Sequence, residues 1–170
     1  MAIRQIRYEG DDILRKKCKR VEEVNDHIRM LLDDMLDTLH NTKDGAAIAA
    51  PQVGILKRIF VVDAMDGAGS RVQRLVVIDM GNGVIKLINP EIIEEKGIQE
   101  CVEGCLSIPN KYGNTLRPKK VTIKALDENG KEITLTGRGE MAKCFCHEID
   151  HLNGILFSDK VTKWLKLKDK

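Results

Sequence analysis

The stretch His147-Glu148-Ile149-Asp150-His151 constrains the fold more strongly than any other part of the sequence. Residues four apart share one face of an α-helix, so a helix here would direct both imidazoles towards one metal ion. Glu148 would then reach a water molecule at that ion and carry its proton. Two histidines leave a catalytic metal site one protein ligand short, so another part of the chain must supply the third ligand.

The residues after this motif do not supply a convincing third metal ligand. A metzincin pattern would need a third histidine at position 157, which is Phe157. A thermolysin-like site would need a later glutamate, and none follows Glu148. The acidic residues beyond it are Asp150, which lies beside His151, together with Asp159 and Asp169. The third ligand is therefore expected upstream.

Two upstream segments carry candidate residues. In EGCLS (103–107), Cys105 can supply a thiolate, a strong ligand for Zn or Fe(II), and Gly104 allows close approach of another backbone. The segment GAAIAAPQ (45–52) is small and apolar and ends in the uncharged amide of Gln52. Cys105 is the best candidate for the third ligand.

The three segments GAAIAAPQ, EGCLS and HEIDHLNG (147–154) together resemble peptide deformylase, a family that removes the N-formyl group from new bacterial polypeptides. The HExxH pattern alone is a weak signal, whereas three motifs in this order and spacing are strong. The likeness extends over residues 2–157. It implies an α+β fold and hydrolysis of a linear amide, with formate as product and N-formylmethionyl nascent peptides as substrates.

The resemblance also implies the roles of individual residues. Cys105, His147 and His151 hold one divalent metal, with Fe(II) as the physiological ion, although Zn, Ni or Co also suit this ligand set. Glu148 takes a proton from the attacking water and returns it to the leaving amine. The developing oxyanion is stabilised by two donors, the Gln52 amide and the backbone N–H of Leu106.

Substrate recognition is expected to use main-chain edges and one apolar pocket. Strand-like edges would hydrogen-bond the peptide and so tolerate varied sequences. Cys144, one turn before His147, would line the pocket for the methionine side chain, and it also fits a buried small residue. The residues given this role are Gly45, Ala46, Ala47, Gly104 and Cys144.

Length and composition suit a small enzyme. The chain has 170 residues and a net charge of +2, which favours a single catalytic domain over 1–170 and gives no reason to expect DNA binding. We expect no membrane segment and no secretion signal. Five cysteines without a signal suggest reduced thiols, hence the cytoplasm. The basic tail (160–170) resembles extensions that contact the ribosome, although a solvated terminus is the simpler interpretation.

Local patterns predict antiparallel sheets packed around the C-terminal metal-binding helix, with an amphipathic helix near the N-terminus. Asn25 is a suitable N-cap for a helix to about Asn41. Asp127-Glu128-Asn129-Gly130 predicts a hairpin turn, and Gly154 is expected to end the last helix. The predicted strands are 58–63, 75–79, 84–88, 121–126 and 132–135.

Several residues depart from the family pattern. The segment 74–79 resembles 58–63, which we interpret as a local duplication or insertion that adds a strand, joined through a turn at 66–70. The alternative is two unrelated strands of similar composition. An added edge strand would offer a pairing surface to a second subunit. Ala47 replaces a common glycine and would be strained at positive φ. Cys146 replaces a common glutamine, which places another thiol near the metal and could reduce activity.

Two further questions are left open by the sequence. Glu103 and Arg117 are a candidate ion pair, because a charge beside the metal loop should have a partner. Cys18 and Cys101 are expected to be buried small residues.

The alternatives to a deformylase are a metallopeptidase, disfavoured by the missing downstream ligand, and an inactive homologue, disfavoured by the presence of Cys105, Glu148 and Gln52.

Overall fold

A computed structural model describes residues 2–43, 45–63 and 83–166 of the chain. These residues form two α-helices and eight strands, with short 3-10 turns between them. The helices are α1 (Asp26–His40) and α2 (Glu140–Leu152). The strands are β1 (Ala47–Ala49), β2 (Ile59–Asp63), β3 (Val84–Lys96), β4 (Gln99–Cys105), β5 (Ile108–Arg117), β6 (Lys120–Leu126), β7 (Glu132–Arg138) and β8 (Lys163–Leu165).

The strands form two antiparallel sheets. The larger sheet has the order β1-β2-β3-β6-β7, and the smaller has the order β4-β5-β8. Within the described residues, β1 is therefore at one edge of the larger sheet and β4 at one edge of the smaller. Both edge strands lie close in sequence to candidate site residues. The α+β class and the antiparallel sheets agree with the sequence.

The helix α1 begins where the sequence predicted. The Asn25 side chain accepts a hydrogen bond of 3.1 Å from the backbone N–H of Ile28, which satisfies one of the free donors of the first turn. The apolar stripe of the helix is buried against β1 and β2. The residues at the centre of that contact are Leu31, Leu32, Met35, Ile48 and Ile59.

The helix α2 packs against the other part of the core, over β7, β1 and β6. Met141, Phe145 and Leu152 are fully buried there. The helix ends because Gly154 adopts φ of 75°. A Cβ at Gly154 would lie 2.4 Å from the carbonyl oxygen of Arg15, so only glycine fits this close crossing of two segments.

The structure corrects several predicted boundaries. The β3 strand extends to Lys96, well past the predicted 84–88, because register shifts after Ile88 and Ile92 break the simple alternation of the sequence. The Asp127–Gly130 turn joins β6 and β7 as expected. The predicted strand 75–79, the turn 66–70 and therefore the proposed duplication lie outside the described residues.

The smaller sheet was not predicted. Its inward positions include Glu103, Thr115 and Arg117, all buried, so the strands lack the apolar alternation that marks a half-buried sheet. Residues 163–165 of the predicted solvated tail form β8 at the edge of this sheet. In the described part of the chain, no helix is long and apolar enough to cross a membrane.

Candidate metal centre

The end of β4 meets the inner face of α2, and this contact brings three metal-ligating side chains together. Cys105, His147 and His151 each offer one ligand atom, and these atoms lie within 4.8 Å of one another. The Cys105 Sγ is 3.3 Å from the His151 Nε2. We refer to these three residues as the ligand group.

The two imidazoles are held differently. His147 Nδ1 is 2.8 Å from Glu103 Oε1, which leaves Nε2 as the nitrogen available to a metal. The His147 ring also stacks on Phe157, with centroids 6.0 Å apart and an interplanar angle of 24°. His151 Nδ1 is buried and has no hydrogen-bond partner among the described residues. One imidazole is therefore oriented by a carboxylate and a ring, and the other by packing.

Behind His147 lies a buried charge network of Glu103, Thr115, Arg117 and Asp150. The Arg117 guanidinium donates to both Glu103 oxygens at 2.7 and 2.9 Å and to Asp150 Oδ2 at 2.7 Å. The Thr115 hydroxyl also donates to Glu103. The predicted pair of Glu103 and Arg117 is therefore confirmed, and Asp150 completes it.

The charge network keeps Glu103 ionised. Burial alone would raise the pKa of its carboxyl, but the hydrogen bonds from His147 and Arg117 lower it well below its usual value. The pKa of Arg117 is raised in turn, because its two carboxylate partners outweigh the effect of burial. Glu103 therefore presents a fixed negative charge to the far side of His147.

The third side chain of the HExxH motif is also buried. Burial raises the pKa of Glu148 to about 7, with a smaller opposing effect from His147. The Glu148 Oε2 has no hydrogen-bond partner among the described residues. A buried carboxyl with a free oxygen beside the ligand group can accept and release a proton near neutral pH.

The Gln52 amide faces the same group. Its Nε2 donates to Ser107 Oγ at 3.1 Å and lies 3.5 Å from Cys105 Sγ, while its Oε1 accepts from the Ala49 N–H at 2.9 Å. The oxygen is thus occupied by the backbone, and the nitrogen is the end of the amide directed towards the site. Sequence reasoning missed Ser107, although it belongs to the EGCLS motif.

These residues fit a divalent cation. One thiolate and two imidazoles are a suitable donor set for Zn or Fe(II). Burial lowers the pKa of His151 well below its ordinary value, so this ligand is neutral at physiological pH, as metal binding requires. The pKa of His147 is raised well above its ordinary value, because hydrogen bonds to Cys105 and Glu103 outweigh burial. Because the ligand form of histidine is neutral, a metal ion at His147 has to displace that proton.

The residues around positions 45 and 106 meet beside the ligand group. A Cβ at Gly45 would lie 2.6 Å from Thr42 Oγ1 and 3.0 Å from Leu106 Cδ1, so the glycine lets this loop pack on Leu106. The Ala46 carbonyl accepts from the Asp63 N–H at 2.9 Å. The candidate residues Gly45 and Leu106 are thus neighbours.

Ala47 lies in β1, paired with Val62. Among the described residues other than glycine, positive φ occurs at Asn89 and Asn110, so Ala47 is not strained. The strain considered for this departure from the family pattern is absent, and the added methyl group packs against the hydrophobic core.

Gly104 and Cys144 have packing reasons of their own. A Cβ at Gly104 would lie 2.6 Å from the Tyr112 ring, so the glycine accommodates this aromatic residue of the neighbouring strand. Cys144 is 8% exposed and belongs to the core cluster around Phe145. Its thiol pKa is raised well above the ordinary value by burial and then by the charge of Glu148.

The remaining cysteines are not part of the ligand group. Cys146 is buried in the core, and burial raises the pKa of its thiol to about 12, so it stays protonated and unreactive at neutral pH. The additional thiol next to His147 in the chain is therefore buried, and its effect on activity stays a prediction. Cys18 and Cys101 are buried, as the sequence predicted, and all five cysteines are free thiols.

Two imidazoles and a buried carboxyl on one helix, with a thiolate from a neighbouring strand, are typical of metal-dependent hydrolases. Comparisons with known proteins give the particular family. The family model for polypeptide deformylase matches residues 3–166. Peptide deformylase 2 of Clostridium acetobutylicum is 61% identical over 166 residues, which cover 98% of this chain and all of that protein.

Other relatives agree. A peptide deformylase of Thermoanaerobacter pseudethanolicus is 48% identical over 170 residues, covering this whole chain and 96% of the relative. A crystal structure of a peptide deformylase from Legionella pneumophila has a TM-score of 0.82 and 41% identity, covering 95% of this chain and 87% of that one. The chain belongs to the polypeptide deformylase family.

Proposed function

We propose that this chain removes the formyl group from the N-terminal formylmethionine of newly synthesised polypeptides and releases formate. It would act as one catalytic domain over 1–170, in the cytoplasm, where free thiols such as those of its five cysteines persist. Family membership supports the activity. The observation that carries the mechanism is the buried Glu148 carboxyl, with one unpartnered oxygen, beside the ligand group.

The metal would be held by Cys105, His147 and His151. When bound, a divalent ion supplies a water molecule of lowered pKa and polarises the formyl carbonyl. We propose Fe(II) as the physiological ion, with Zn, Ni and Co as competent alternatives, because all suit a mixed thiolate and imidazole set. The Glu103 carboxylate supports this role, since it fixes His147 so that Nε2 is presented to the ion.

Glu148 carries the proton. With a pKa raised to about 7 by burial, it exists in both protonation states at neutral pH. It accepts a proton from the attacking water and returns it to the nitrogen of the leaving amine, and such a positioned group contributes about 100- to 10,000-fold. Its burial also keeps bulk water from competing for that proton.

The developing oxyanion would be stabilised by the Gln52 side chain and the Leu106 backbone N–H. The contact between Gln52 Oε1 and Ala49 supports this role, because it turns the amide nitrogen towards Cys105. Such donors act before the reaction begins, and the loss of one typically costs about 100- to 1000-fold in rate.

The substrate peptide would lie between two sheet edges. Within the described residues, β1 and β4 each have one unpaired edge, and these strands include Ala47 and Gly104. Pairing with Gly45, Ala46, Ala47 and Gly104 would read the peptide backbone, independent of its sequence. We place the methionine side chain beside Cys144, and the small space next to the ligand group would exclude acyl groups larger than formyl.

The deciding experiment measures formate released from formyl-Met-Ala-Ser by protein prepared without oxygen and loaded with Fe(II). We expect Glu148→Ala to lose about 100- to 10,000-fold in kcat. Glu140→Ala is the matched control, since Glu140 lies in the first turn of the same helix and is partly exposed. Absence of formate from the loaded wild type would contradict the proposed function.

The metallopeptidase alternative is tested in the same assay. Unformylated Met-Ala-Ser should remain intact, and its cleavage would favour that alternative.

The ribosome is proposed as a partner through the basic tail. Lys163 and Lys166 support this proposal, because both are exposed. Cosedimentation with purified ribosomes should weaken when both lysines are replaced by glutamate, whereas Glu9→Lys, far along the sequence, should leave it unchanged. Equal cosedimentation of wild type and the double variant would contradict this role of the tail.

A further inference from the structure

We propose that Trp164 is a positioning residue for His147 and acts on it through Phe157. The inference rests on the proposed function in one respect, namely that His147 is a metal ligand. Trp164 is not a member of the ligand group. Its effect is carried by a row of three rings, which we call the ring stack: Trp164, Phe157 and His147.

The ring stack begins at His147, whose ring is also held by Glu103 at Nδ1 and meets the His151 ring edge to face at a centroid distance of 4.9 Å. The hydrogen bond to Glu103 fixes Nδ1, but a single hydrogen bond leaves the ring free to tilt about it. Phe157 lies against one face of the imidazole, at a centroid distance of 6.0 Å. Because the two planes are within 24° of parallel, a shift of Phe157 changes the tilt that His147 can adopt.

Phe157 is itself held from two sides. It is 2% exposed and belongs to a small cluster with Leu14, Ile108 and Leu156. On its outer side the Trp164 ring meets it nearly edge to face, with centroids 5.9 Å apart and an interplanar angle of 66°. This geometry is favourable for aromatic rings and is sensitive to orientation. Trp164 therefore closes the outer side of the residue that supports His147.

The position of Trp164 depends on β8. Trp164 is paired with Gly113 of β5, and the Thr162 N–H donates to the Asn114 carbonyl at 2.8 Å just before the strand. Side chains alternate along a strand, so Trp164 points towards Phe157 while Lys163 and Leu165 point to the opposite face. Leu165 is partly exposed and offers a matched control on the same strand.

The strand β8, which contains no metal ligand, therefore helps to set the geometry of the ligand His147. Catalytic groups misplaced by a fraction of an ångström lose rate even when the fold is intact. Removing the Trp164 ring should let Phe157 and His147 relax outwards. Metal affinity and kcat should both fall, whereas KM should not change, because Trp164 is not in the proposed peptide cleft.

The test compares Trp164→Ala, Trp164→Phe and Leu165→Ala in the full chain. Zn(II) affinity is measured by competition with a chelating dye, and kcat and KM by formate release from formyl-Met-Ala-Ser. Trp164→Ala should weaken Zn(II) binding and lower kcat, each by about 2- to 10-fold, the range that one aromatic ring pair supplies. Trp164→Phe should restore most of both losses, and Leu165→Ala should match the wild type.

Two outcomes would overturn the proposal. Trp164→Ala could lower the melting temperature with Zn(II) affinity and kcat unchanged, which would make Trp164 a purely structural residue. Alternatively, Leu165→Ala could lower Zn(II) affinity and kcat as much as Trp164→Ala does, which would assign the effect to β8 as a whole. If the wild type released no formate, the proposed function would fail, while the Zn(II) affinities would still decide the role of Trp164.

Discussion

Two regions beside His147, which we call the paired face and the unpaired face of the site, show how differently a protein interior can treat charge. On one face the charge network of Glu103, Thr115, Arg117 and Asp150 pairs each buried charge with an opposite one. On the other face, Glu148 keeps a buried oxygen without a partner among the described residues. An unpaired buried polar group costs stability unless something else binds it. The paired face thus supports the fold, and the unpaired face indicates where a ligand binds.

The largest test of this comparison is Arg117→Met. The variant keeps much of the volume but leaves Glu103 buried without its guanidinium partner and Asp150 with only the half-exposed Lys160, and breaking a buried pair typically costs about 3 to 5 kcal/mol. We expect that loss in the free energy of unfolding, measured by urea titration. Activity should also fall, because Arg117 holds Glu103, which orients His147. The control is Arg29→Met, whose ion pair with Asp26 is exposed and should contribute less than about 1 kcal/mol. Equal losses would remove the contrast between the faces.

The next test addresses the unpaired face. Gln52→Ala should lower kcat by about 100- to 1000-fold, because the amide nitrogen is the proposed donor to the oxyanion. Ser107→Ala serves as its control, since Ser107 accepts from that amide and would leave the donor in place. We expect a much smaller effect on kcat for the serine variant. A similar loss in both would mean that Gln52 acts by supporting the loop at Ser107.

A smaller effect is expected at Asp34, another buried acid. Burial raises the pKa of Asp34, but the Ala2 N–H and the Arg4 guanidinium outweigh it, so its pKa lies below the usual value. A lowered folded-state pKa contributes stability above the unfolded pKa, about 3.9, and that contribution is lost as pH falls. Asp34→Asn should cost about 1 to 2 kcal/mol at pH 7 and less at pH 3.

Urea titrations of wild type and Asp34→Asn at both pH values measure that difference. Asp12→Asn, an exposed acid in the first 3-10 turn, is the control and should change the free energy of unfolding little at either pH. A difference for Asp34→Asn that stays constant between pH 7 and pH 3 would show that the pairing does not depend on charge.

The parts of the molecule that the sequence predicted well are those with local signals. Asn25 caps α1 as expected, the turn at 127–130 forms, and Gly154 ends α2. The family motifs pointed to Cys105, His147 and His151, and the fold brings their ligand atoms together. In each case the information lies within a few residues or within a recognised motif.

The smaller sheet and the ring stack could not be predicted in this way. Thr115 and Arg117 occupy inward positions where apolar residues would have revealed strands, and their partners are distant in sequence. In the sequence, Phe157 stands only where a metzincin would have a histidine, and nothing connects its ring with His147 or Trp164. Long-range contacts between polar or aromatic side chains leave no periodic pattern.

Trp164 has one more consequence, because it is the only tryptophan in the chain and lies 47% exposed on a three-residue edge strand. Short edge elements open with free energies well below that of global unfolding. The fluorescence emission of the protein will therefore report the detachment of β8 alone, shifting to longer wavelength before the circular dichroism of the larger sheet is lost.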